Sequence, residues 1–86
     1  MREAVELALR TARSLRLGME AQGQIDLSEF VDALLPLLQR PEYRELSREI
    51  APHLPLVLKA QERGDHLFVA DLLEYEIGPT LARAMH

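Results

Sequence analysis

Apolar residues recur at three- and four-residue steps along nearly the whole chain, the spacing that stacks side chains on one face of an α-helix. No stretch alternates apolar and polar residues as a half-buried strand does, and β-branched residues are few and scattered. Glycine and proline divide the pattern into four helical segments. The first runs from about Arg2 to Leu17, with Val5, Ala8, Leu9, Ala12 and Leu15 on a shared face. Glu6 and Arg10 stand four apart in the favourable order, and Gly18 marks the end. The second runs from about Leu27 to Arg40. Asp26 is the expected N-cap, and Glu29, three residues on, completes a spacing like that of a capping box. Leu27, Phe30, Val31, Leu34, Leu35 and Leu38 form its apolar stripe, and Pro36 is expected to bend it.

The third segment opens at Pro41, a good first helical residue, and reaches about Arg63. Tyr43, Leu46, Ile50, Leu54, Val57, Leu58 and Gln61 keep helical phase through Pro52 and Pro55. The unbroken phase favours one helix kinked near Pro52 over two helices meeting there. Arg63-Gly64-Asp65 reads as a C-cap glycine followed by the N-cap of the next helix. The fourth segment spans His66 to about Met85. Leu67, Ala70, Leu73, Ile77 and Leu81 make one face, and Phe68, Leu72 and Tyr75 widen it. Gly78-Pro79 is expected to kink or briefly break this helix.

The expected fold is therefore all-α: one domain over residues 1–86, a compact antiparallel bundle of about four helices with proline kinks. Composition agrees, since 17 Leu and 10 Ala supply 27 of the 86 residues and both are strong helix formers. A chain of this length builds one core. With 48% hydrophobic residues and a net charge of −4 it is not of disordered composition. It has no cysteine, which excludes disulfides, thiolate metal sites and a cysteine nucleophile. The longest apolar run, Ala33 to Leu38, falls far short of the ~20 residues of a membrane helix. Charges of both signs in Met1-Arg2-Glu3-Ala4-Val5-Glu6 leave no apolar signal core, so a cytoplasmic location without membrane partners is expected. All four segments carry broad apolar faces. A homodimer that buries the surplus is the expected assembly, with an amphipathic helix of another protein as the alternative cover.

Charge is distributed unevenly. Residues 1–18 carry four Arg against two Glu, and the remainder carries six bases against twelve acids. Arg10, Arg13 and Arg16 make a small basic ridge, expected to pair with Glu42, Glu45 or Glu49 or to be solvated. That is too little charge for a nucleic-acid face. The four glycines are isolated, so no phosphate-binding loop is present. His53, His66 and His86 have no second histidine three or four residues away, and no Glu-x-x-His pair exists, so structural or exposed roles are expected. Glu62 precedes His66 by four, but Gly64-Asp65 intervenes. Ser14, Ser28 and Ser47 lack a nucleophile setting. Neither cofactor nor resident metal is expected.

Two stretches carry resemblances. Gly18 to Phe30 resembles the calcium loop of the EF-hand family, with Gly23 at the turn glycine, Ile25 at the central apolar position, Asp26 at the ninth position and Glu29 at the closing glutamate. That resemblance implies calcium ligands at Glu20, Gln22, Asp26 and Glu29. It departs from the family where Gly18 replaces the opening Asp, which removes one of the strongest ligands, so a plain helix–loop–helix turn is the favoured reading. Ala70-Asp71-Leu72-Leu73-Glu74-Tyr75-Glu76, with a proline soon after, is similar to the C-terminal helix of small uncharacterised all-helical proteins from Gram-positive bacteria. The resemblance implies no activity and points to Asp71, Glu74 and Tyr75 as a partner-binding surface. Paired carboxylates can also perform acid–base chemistry, so a small enzyme completed by a histidine across a dimer interface is a further alternative. The favoured expectation is a non-enzymatic interaction module of the adaptor, regulator or export-chaperone kind. A calcium-responsive protein is the runner-up.

Overall fold

Two glycines with positive φ, Gly18 at 76° and Gly64 at 70°, set the principal reversals of the chain. A computed structural model describes residues 1–85; His86, grouped above with the structural or exposed histidines, lies outside the described residues. Helix α1 spans Arg2–Arg16. Beyond it the Gly18 N–H donates to Leu15 O at 3.1 Å and the Met19 N–H to Ser14 O at 2.9 Å, closing a Schellman turn. The same turn ends α4 (Leu54–Glu62), where Gly64 donates to Gln61 O at 3.0 Å and Asp65 to Ala60 O at 2.8 Å. Only a residue free of Cβ crowding adopts this left-handed geometry cheaply, so both glycines end helices as expected.

The four helical segments all form, and no strand occurs among the described residues. The second differs most from expectation: α2 spans Glu20–Leu38, with Met19 as its N-cap. Asp26 therefore lies inside the helix, and Gly23 does not break it. A Cβ on Gly23 would stand 2.5 Å from the Leu15 Cδ2, so this glycine is the contact point that lets α2 close on α1. The third segment keeps a right-handed helical path from Arg44 through a 3-10 turn at Ala51–His53, linking α3 (Arg44–Ile50) to α4. The expected single kinked helix is therefore divided: α3 ends at Ile50 and α4 begins at Leu54, with a further 3-10 turn at Pro41–Tyr43 leading in.

The last segment is α5 (His66–Asp71), a π-helical stretch at Leu72–Ile77 and α6 (Gly78–Arg83). The wide turn has two visible causes. Pro79 has no N–H to continue the α ladder, and the Gly78 N–H reaches back five residues to Leu73 O. The buried residues Val69, Leu73, Ile77 and Leu81 are spaced by four throughout. On an α-helix a four-residue repeat drifts ~40° per step, and the wider turn brings the line back toward one face.

α1 is the central helix, packed against α2 on one side and against α5, the π turn and α6 on the other. Its buried residues Ala4, Leu7, Ala8, Thr11, Ala12, Ser14 and Leu15 are mostly small, which allows close approach on two sides. The expected single face is thereby corrected: Leu9 stands 46% exposed, while Thr11 and Ser14 are buried. Thr11 resolves its buried hydroxyl by donating to Leu7 O at 2.7 Å.

Asp65 caps α5, its carboxylate accepting from the Phe68 N–H at 3.1 Å. Asp65→Ala is expected to cost about 1 kcal/mol, seen as a lower urea midpoint at unchanged slope. An unchanged midpoint would show that the cap contributes nothing.

Candidate functional site

Between α2 and α4 lies a groove of about 550 Å3. Leu27, Phe30, Leu34, Val57 and Ile77 are buried beneath it, and Val31, Leu35, Leu54 and Leu58 stand higher on its walls. Leu35 is 46% and Leu58 61% exposed. Gln24 and Gln61 line the groove too, and a hydrogen bond of 2.7 Å from the Gln61 amide to the Gln24 Oε1 ties its two walls together. From Gln24 to Leu35 the α2 wall is about 16 Å long at 1.5 Å per residue, about three turns of helix. An open apolar trough of this length has the form that receives one face of an amphipathic helix. The site was only half visible in the sequence. Leu35 and Leu58 belong to recognised apolar stripes, but nothing local tells that these two members stay outside the core.

The structure brings Asp71, Glu74 and Tyr75 together, with a fourth residue at their centre. Arg16 at the end of α1 donates from Nη2 to Asp71 Oδ1 at 2.8 Å and from Nε to Glu74 Oε1 at 3.0 Å. Its guanidinium carbon lies 5.5 Å from the Tyr75 ring centroid. The hydrogen bond to Asp71, then that to Glu74, raise the Arg16 pKa above its ordinary value. Both carboxylates already have a cationic partner, and Tyr75 is 63% exposed. The cluster clamps α1 to the last helix and leaves the tyrosine as its outward surface. The expected pairing of the basic ridge with Glu42, Glu45 or Glu49 is corrected: Arg10 lies 3.9 Å from Glu29, while Glu45 faces Arg48 and Glu49 faces Arg83.

The stretch resembling a calcium loop is not a loop, because α2 runs through it from Glu20. Its expected ligands also do not converge. Glu20 turns to His66 at 3.5 Å, Glu29 faces Arg10, and Gln22 donates to Asp26 Oδ1 at 2.9 Å. Asp26 is 1% exposed and takes a second bond from the Ser14 hydroxyl at 2.8 Å. Among the described residues no group of three or more His, Asp or Glu side chains could hold a metal ion.

Asp26 thus joins α1 to α2 through neutral donors. Ser14→Ala is expected to cost about 1–3 kcal/mol, because a buried carboxylate oxygen loses its donor. Asp26→Asn is expected to cost less, since the Ser14 hydroxyl can turn and accept from the amide. Equal midpoints for Ser14→Ala and the unsubstituted protein in urea titrations would overturn this reading.

His66 and His53 are both partly buried, and each has a buried Nδ1 without a hydrogen-bond partner. Among the described residues no side-chain hydrogen bond joins either histidine to the acidic–aromatic cluster, whose bonds link Arg16 to Asp71 and Glu74. No helix of the described residues is long and apolar enough to cross a membrane. Comparison with protein families, curated proteins and solved structures finds no match to this chain.

Proposed function

We propose that this chain is a cytoplasmic, non-enzymatic interaction module whose α2/α4 groove receives an amphipathic helix of another protein. The observation that carries the reading is the groove itself: apolar, open, about three turns long, and walled by leucines that the core does not need. The occupation of Asp71 and Glu74 by Arg16 supports the non-enzymatic part, since carboxylates held in an exposed ion pair are poorly placed to exchange protons with a substrate. Self-pairing through the same groove is the competing use of these leucines.

The test uses a designed amphipathic helix with leucines at three- and four-residue spacing and uncharged Gln and Ser elsewhere. Fluorescence anisotropy is expected to show saturable binding that Leu58→Asp abolishes without loss of helical circular dichroism. Absence of binding to a folded monomer would sink the proposal. Light scattering behind a sizing column separates the competitor: a species at twice 9.8 kDa that Leu58→Asp returns to monomer assigns the groove to a second copy.

A further inference from the structure

The groove is not electrically symmetric. Its α4 wall, from Leu54 through Val57 and Leu58 to Gln61, presents no charged side chain to it. Its α2 wall carries Asp32, which also lines a second, polar channel between α1 and α2. Among the described residues that channel holds Glu3, Glu6, Glu29 and Asp32 against one cation, Arg10. The Arg10–Glu29 approach is 3.9 Å between side chains each more than half exposed, too loose and too solvated to neutralise the shelf. An apolar trough is therefore bordered on one long side only by an acidic shelf.

Resting on the reading of the groove as a helix receptor, we propose that its partner is a basic amphipathic helix, with Arg or Lys along the flank that faces α1. Leucines seated in the trough supply the apolar contact. The cations lie over Glu29 and Asp32, in the channel that Glu3 and Glu6 also line, which selects the partner and fixes the direction in which it lies. A second copy of this chain does not fit that description. Residues 19–86 carry six bases against twelve acids, and the basic helix α1 is packed on two sides, with Arg16 held by Asp71 and Glu74.

Three designed helices with one leucine stripe test the inference: one flanked by Arg and Lys, one by Gln and Ser, one by Glu. Anisotropy titrations are expected to rank them basic, neutral, acidic, with the basic peptide at least about tenfold tighter than the neutral one at low salt. The preference should collapse at about 1 M salt, where the Debye length falls to about 3 Å. It should also collapse in the double variant Glu29→Lys/Asp32→Lys. Glu42→Lys/Glu45→Lys makes the same change of net charge on a separate surface and should keep the preference.

Equal affinity for all three peptides overturns the basic partner while leaving the groove reading intact. Equal loss in the Glu42/Glu45 variant overturns it as well, since net charge alone would then explain the ranking. No binding of any peptide to a folded monomer overturns both readings. A dimer dissolved by Leu58→Asp replaces the proposed partner with a second copy.

Discussion

Phe30→Ala is expected to remove about 3–5 kcal/mol of stability, the range for truncating a buried aromatic ring. Phe30 is 2% exposed and sits where α2 meets the floor of the groove. The chain has two phenylalanines and no tryptophan, and the other phenylalanine, Phe68, is only partly buried. The rest of the buried core is leucine, alanine, isoleucine and valine, so no second buried ring can swing into the space. Domains commonly have 5–15 kcal/mol in total, and one of this size belongs near the low end. The variant should therefore unfold at a small fraction of the urea needed by the unsubstituted protein, read by far-ultraviolet circular dichroism. A cost below about 1 kcal/mol would mean that the groove walls collapse into the vacated volume, and that the trough is softer than its geometry implies.

Gly78→Ala is expected to destabilise by about 1–3 kcal/mol, although helix propensity alone predicts a gain of about 1 kcal/mol for such a change. A Cβ at this position would lie 2.6 Å from Leu73 O. The obstacle is backbone, and the same carbonyl accepts the Gly78 N–H. Moving it away relieves the clash only by lengthening the bond that closes the π turn. Equilibrium unfolding decides the matter. A raised midpoint would show that the segment relaxes to an ordinary α-helix at no cost, and that the wide turn is incidental to the fold.

Where the chain stops and turns was legible, because Gly18, Gly64 and Asp65 act through their own backbone or through neighbours three residues away. The class of fold was legible for the same reason: the three- and four-residue repeats of leucine and alanine have no strand counterpart. Asp26 was misread because an aspartate three residues before a glutamate looks the same whether it caps a helix or sits inside one. What decides is Ser14, twelve residues earlier and on another helix, which no local pattern reveals. Glu20-Ala21-Gln22 are good helix formers, yet Gly23 made the stretch look like a loop, since its role at the Leu15 crossing exists only in three dimensions. Asp71, Glu74 and Tyr75 were singled out through the resemblance carried by the stretch from Ala70 to Glu76. Their common partner Arg16 lies 55 and 58 residues away from the two carboxylates, beyond any periodicity. The π turn left a trace in the unbroken four-residue spacing of Val69, Leu73, Ile77 and Leu81, too long a repeat for a plain α-helix to keep on one face.

That widened turn also stores slack. A π turn spends one residue more than an α-helix needs over the same rise, so the last helix holds a spare residue in its outward arc at Tyr75-Glu76. Shedding it would bring Leu73 and Ile77 to a spacing of three, still a shared face, and would leave the rest of the core line in place. Pro79 stands against that trimming, because in a regular helix its ring would strike the carbonyl four residues before it. The proline thus acts as a ratchet on chain length, holding the surplus residue out where Tyr75 meets solvent and Arg16.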